Sequence, residues 1–129
     1  MTRKRQLGDL QLAIMRELWT RGESSASEVH KALFKERGLA VTTIKTMLRK
    51  LEEYGCVTHR VEGRQFIYAP AIEEEEVRNG MVIDLVKRLF SGDSSALVHH
   101  LARAGELDDA DLKELRSLVT KSRRKRGVE

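Results

Sequence analysis

Two adjoining stretches, VTTIKTMLRKLEEYG (Val41–Gly55) and CVTHRVEGRQFIYAP (Cys56–Pro70), decide the fold. In the first, Ile44, Met47, Leu48, Leu51 and Tyr54 form an apolar stripe at helical spacing, and Gly55 suits the left-handed position just past a helix end. In the second the period shortens to two. Val57, His59 and Val61 alternate with Thr58 and Arg60, and Phe66 and Tyr68 share a face beyond Glu62-Gly63. A glycine between two alternating runs signals a hairpin, and Pro70, the only proline, closes its second strand.

Working backwards from this helix and hairpin, two more helices precede them. Leu7, Leu10, Ile14 and Leu18 mark an amphipathic helix that Gly22 stops. SASEVHKALFKERG then opens on Ser25 with Glu28 three residues on, the spacing of a capping box, and Gly38 ends the helix after Val29 and Leu33. Three helices and a hairpin make a mainly α fold with a small β-hairpin wing, the winged helix-turn-helix. Pro70 places the end of this domain at residue 71.

Residues 72–129 read as a helical region with a basic tail. Val77, Met81, Leu85 and Leu89 recur four apart, broadened by Val82 and Val86, behind Glu73 to Glu76 in the first turn. Carboxylates there complement the helix dipole, and four consecutive side chains fan around the axis rather than converge on a metal. Asp93 or Ser94 starts a short helix with Leu97, Val98 and Leu101. Asp108 caps a last one with Leu112, Leu115, Leu118 and Val119. Three helices of this total length seldom bury so wide an apolar face alone, so it packs back on the first half or on another copy, and symmetric pairs are the commonest oligomers. The region is therefore expected to pair two copies through Val77, Met81, Leu85, Leu89, Leu97, Leu101, Leu112 and Leu115.

Composition agrees. The 129 residues carry a net charge of +4. Residues 1–70 hold 13 Lys/Arg against 8 Asp/Glu, residues 71–119 hold 6 against 11, and the last ten hold 5 against 1. Positive charge is thus concentrated in the first half and the tail, where a polyanion would bind, while the acidic middle would repel one. No apolar run nears the roughly 18 residues that span a bilayer, and no signal-peptide core follows the charged N-terminus. With a single cysteine, Cys56, the chain suits the cytoplasm and forms no internal disulfide.

The helix 41–53 carries an unusual polar face. Thr42, Thr43, Lys45, Thr46, Arg49 and Lys50 lie off its apolar stripe, although threonine is a middling helix former. A helix entering the DNA major groove needs short side chains where its backbone comes close, with longer cations flanking them. Threonine can bond a phosphate or a base, or offer its methyl to thymine, while arginine holds guanine or clamps a phosphate. Arg60 and Arg64 flank the hairpin tip, as a wing lying along the phosphate backbone requires. The arm TRKRQ and the end KSRRKR are expected to be flexible, solvating segments. Adjacent His99 and His100 point about 100° apart on a helix. His30 and His59 stand alone in sequence, so neither a metal nor a cofactor is expected. With no glycine-rich phosphate loop, no GxSxG and no HExxH, no enzyme is expected either. The rival readings are a protein-interaction module built on the same fold and a regulator that answers to a small ligand.

LGDLQLAIMRELW, TTIKTMLRKLEEYG and EGRQFIYAP together resemble the penicillinase-repressor family, over nearly the whole chain. The resemblance implies a homodimeric transcriptional repressor that binds a palindromic double-stranded operator, controlling a β-lactam-resistance or related stress gene. It carries major-groove recognition onto Thr42, Thr43, Lys45, Thr46 and Arg49, and backbone contact onto Arg64. It gives Trp19 a place in or beside the core. In the β-lactam-responsive members, proteolysis at an Asn-Phe bond ends repression. The matching pair here is His100-Leu101, which makes a regulatory protease a candidate partner with an altered cleavage pair. The end KSRRKRGVE holds no cysteine, so copper sensing through the cysteine-rich hook of the copper-responsive members is not expected.

Overall fold

The computed structural model describes residues 7–125. Residues 1–6, which hold the arm, lie outside the described residues, as do the tail from residue 126 and the side chains of 36, 37 and 123–125. The chain divides into two compact units, Met1–Val82 and Ile83–Glu129.

The first unit is a winged helix. α1 (Asp9–Arg21) buries Ile14, Met15 and Leu18 and ends where Gly22 takes φ 90° and donates its N–H to the Leu18 carbonyl at 2.7 Å. α2 (Ala26–Arg37) starts on the expected capping box. Ser25 Oγ accepts the Glu28 N–H at 3.2 Å, and Glu28 Oε1 accepts the Ser25 N–H at 2.9 Å. That backbone N–H holds the Glu28 carboxyl below its ordinary value. α3 (Val41–Glu53) buries Ile44, Leu48 and Leu51. Two strands follow, β2 (Val57–Glu62) and β3 (Gln65–Pro70), paired antiparallel from Val57↔Pro70 to Glu62↔Gln65. Gly63 at φ 63° and Arg64 form the two-residue connection, with glycine at the first position, where a type II′ hairpin needs positive φ. The Ala71 N–H donates to the Cys56 carbonyl at 2.8 Å and closes the hairpin's base.

One element carries no sequence signal. Ser24 and Ser25 form a short strand, β1 (Ser24–Ser25), which pairs antiparallel with β3 through Ser24↔Tyr68 and Ser25↔Ile67. The sheet order is therefore β1-β3-β2. Two serines have low strand preference. They pair because the second strand of the hairpin offers an unpaired edge beside the start of α2.

Residues from every element of the unit's scaffold meet in one core: Ile14, Met15 and Leu18 of α1, Val29 and Leu33 of α2, Ile44, Leu48 and Leu51 of α3, and Val57 and Tyr68 of the hairpin. Trp19 packs at its edge and donates its indole N–H to the Ile72 carbonyl at 2.9 Å. Val77 and Met81, expected at the pairing surface, lie within the first unit. Val77 is buried in this same core and Met81 packs against it. Only three residues separate β3 from α4 (Glu74–Phe90), and Ile72 among them also packs on the core. The first turns of α4 are thus committed to the winged helix.

The second unit contains the rest of α4, then α5 (Ser94–Arg103) and α6 (Asp109–Lys125). Asp93 Oδ1 accepts the Ala96 N–H at 3.2 Å to cap α5. Asp108 and Asp111 cap α6 reciprocally, at 2.8 and 3.0 Å, and the Asp111 N–H holds the Asp108 carboxyl below its ordinary value. Val86 is buried, and Leu97, Leu101 and Leu115 are half-buried. Leu85, Leu89 and Leu112 are exposed, as are Ile83, Val98, Leu118 and Val119. Among the described residues no helix is long and apolar enough to cross a membrane.

Candidate nucleic-acid interface

The burial of Ile44, Leu48 and Leu51 fixes the rotation of α3 and turns its opposite face outward. Thr42, Lys45, Thr46, Arg49 and Lys50 are exposed, and Thr43 is half-buried at the edge of that face. Thr46 Oγ1 donates to the Thr42 carbonyl at 3.0 Å. This back-bond spends the hydroxyl's one proton inside the helix, leaving its lone pairs and methyl to read a partner.

The hairpin brings Arg64 to the same side. Lys45, Arg49, Arg64, Gln65, Phe66 and Tyr68 line a cleft of about 320 Å³, with the first residues of α2 at its other wall. Among the described residues, none of these three cations has a carboxylate within 4.0 Å. Three unneutralised cations facing one concavity raise the local potential for an anion. Arg49 is felt at the cleft floor. Burial pushes the Tyr68 phenol above its ordinary value and Glu52 adds to this, while Arg49 opposes.

Arg60 differs. It pairs across the hairpin with Ile67, and side chains alternate along a strand. Arg60 therefore lies on the opposite face from Phe66 and Tyr68. Its guanidinium donates to Glu23 Oε1 at 2.6 Å and lies 3.5 Å from Glu62 Oε2. The Glu23 hydrogen bond raises its already high pKa. The structure thus separates two arginines that the sequence set side by side: Arg64 opens into the cleft, and Arg60 is tied to the body of the domain.

His59 is the residue sequence reasoning missed. Its Nδ1 lies 2.8 Å from both carboxylate oxygens of Glu52, in the last turn of α3. Its ring stacks on Phe66, with centroids 4.1 Å apart and planes 13° apart. An acid near a helix end and a histidine seven residues later form no recognisable motif, so only the fold reveals the contact. His30 donates through Nε2 to the Leu39 carbonyl at 2.6 Å, which ties α2 to the turn before α3. His99 and His100 are exposed on α5, and Leu101 is half-buried there. Among the described residues no three His, Cys, Asp or Glu side chains are placed to hold a metal ion together. Cys56 is buried at the base of the hairpin.

A three-helix core, a helix with an outward cationic and threonine face, and a wing that supplies a further cation define a winged-helix DNA-binding protein. The chain belongs to the penicillinase repressor family of transcriptional repressors, whose pattern matches residues 7–121. It is 36% identical over 114 residues to the transcriptional regulator BlaI of Mycobacterium tuberculosis, covering 86% of this chain and 82% of the relative. Its fold is similar to the solution structure of the DNA-binding domain of the repressor BlaI, with a TM-score of 0.53 and 36% identity, over 59% of this chain and 93% of that one. It is also similar to the monomeric form of Bacillus licheniformis BlaI solved in complex with the blaP half-operator, with a TM-score of 0.50, 36% identity and the same coverage.

Proposed function

We propose that two copies of this repressor pair through the second unit and bind a near-palindromic operator, each placing α3 in a major groove and its wing on the flanking backbone. The observation that carries this reading is the convergence of Lys45, Arg49 and Arg64 on one cleft beside the exposed threonines of α3. In this reading Thr42, Thr43 and Thr46 face base edges, while Lys45, Arg49 and Arg64 hold phosphates. Arg60 braces the wing through Glu23 rather than contacting DNA. A relative of the same fold was solved on a half-operator, which supports this docking.

Pairing is supported by the second unit's surface. Ile83, Leu85, Leu89, Val98, Leu112, Leu118 and Val119 are each at least two-fifths exposed, more apolar surface than a solitary small unit normally leaves to water. Leu97, Leu101 and Leu115 would complete the interface from their half-buried positions. The operator lies before a β-lactam-resistance or related stress gene, and the repressor works in the cytoplasm, where that DNA is. A regulatory protease cutting at or near His100-Leu101 would relieve repression by severing the pairing region. That bond lies within α5, so the protease would first have to open the helix.

Selection of bound duplexes from a random library by the full-length protein tests the proposal. The expected product is a near-palindrome with half-site centres about 10 or about 20 base pairs apart. Recovery of no common sequence, together with no salt-sensitive retention on duplex DNA, would instead favour a winged helix that docks a protein.

A further inference from the structure

The cleft between α3 and the wing holds an exposed aromatic ring among its cations. Phe66 is 47% exposed and lines the cleft with Lys45, Arg49 and Arg64. One face of its ring is covered by the parallel His59 imidazole, itself held by the Glu52 carboxylate at 2.8 Å. Tyr68 braces it edge-on, with ring centroids 6.2 Å apart. Val61, opposite Phe66 in the hairpin register, is 62% exposed. The ring is therefore fixed by its neighbours, and its remaining surface is left to water between positive charges. Phosphate contact accounts for the cations and leaves the ring unexplained.

We propose that Phe66 is a sugar-contacting residue of the wing: its exposed surface packs on a deoxyribose of the strand whose phosphates are held by Lys45 and Arg64. This rests on the DNA-binding reading of the cleft. A DNA backbone alternates anionic phosphates with sugars whose C–H groups are apolar, and the cleft offers cations for the one and an aromatic ring for the other. Its volume of about 320 Å³ is at the small end of the range for ligand clefts, the size of a fragment rather than a whole nucleotide stack. A ribose would bring a 2′-hydroxyl against the ring, where it would lose water without gaining a partner. The same contact therefore discriminates DNA from RNA at one backbone position in each half-site. Glu52 and His59 act through Phe66 as positioning residues.

The test is a ribonucleotide walk. Single ribonucleotides are placed at successive positions of each strand of the selected operator, and binding of the full-length protein is measured over a salt series. Wild type is expected to lose about tenfold in affinity at one position per half-site. In Phe66→Ala, which removes the ring from both half-sites, affinity for all-DNA operator falls by about the square of that factor, the penalty at that position disappears, and the slope of affinity against salt stays at the wild-type value. Phe66→Leu, which keeps an apolar group and protects the fold, recovers part of the affinity. A walk with no position whose penalty depends on Phe66 would overturn the sugar assignment, as would a reduced salt slope in Phe66→Ala. Stronger Phe66-dependent binding to an operator with an unpaired base at that step would seat a base there and also overturn it. Failure of the underlying reading looks different: Arg64→Ala would then leave both affinity and salt slope unchanged.

Discussion

Arg64 and Arg60 stand four residues apart in the same hairpin, yet they should behave oppositely when each is replaced by alanine. Arg64 faces the cleft with no carboxylate within 4.0 Å among the described residues, so its charge is available to a phosphate. The Arg60 guanidinium is 2.6 Å from Glu23 and 3.5 Å from Glu62, so its charge is already answered within the protein. Counting Lys45, Arg49 and Arg64 as one phosphate contact each in both protomers gives about six contacts. The slope of log affinity against log salt is then about −5.4, and raising salt from about 50 to about 200 mM weakens binding about 2,000-fold. Arg64→Ala removes two contacts, so the slope relaxes to about −3.6 and the same salt step costs only about 150-fold. Arg60→Ala should leave the slope at the wild-type value. Fluorescence anisotropy on the selected operator, at five or so salt concentrations, resolves the difference. Equal relaxation of the slope by both substitutions would refute the division of roles, and so would relaxation by Arg60→Ala alone.

Three further outcomes are expected. Leu89, 69% exposed on α4, should anchor the pairing surface. Leu89→Asp should turn a dimer into a monomer in sedimentation velocity while the circular dichroism of the chain is retained, and an unchanged dimer would remove Leu89 from the interface. Leu48 is fully buried where the three helices meet, so Leu48→Ala should cost about 2–5 kcal/mol in urea unfolding. A loss under about 1 kcal/mol would contradict that placement. Glu28 and Asp108 sit below their ordinary values because backbone N–H groups bond their ionised forms. Their contribution to stability is complete above the ordinary carboxylate range and is lost as pH falls through the depressed folded values. Between about pH 6 and about pH 2, the double variant Glu28→Gln, Asp108→Asn should therefore lose less in thermal midpoint than the parent, and an equal loss would deny these caps their role.

How much of this was written locally in the chain can be judged residue by residue. The helix starts at Ser25, Asp93 and Asp108, the stops at Gly22 and Gly38, the hairpin at Gly63 and the outward threonine face of α3 all follow from φ preferences, short-range hydrogen bonds or the repeat of apolar side chains. Each such signal is complete within a few residues, so a sequence determines it alone. The tertiary structure decided what distant segments do to one another. It paired Ser24 and Ser25 with Tyr68 and Ile67, tied Trp19 to Ile72, drew Val77 into the winged-helix core, locked Arg60 onto Glu23 and set His59 between Glu52 and Phe66. These contacts join elements whose spacing along the chain carries no period. Each depends on how the packed core places one element against another, and that placement is settled only when the whole set of buried side chains is satisfied at once.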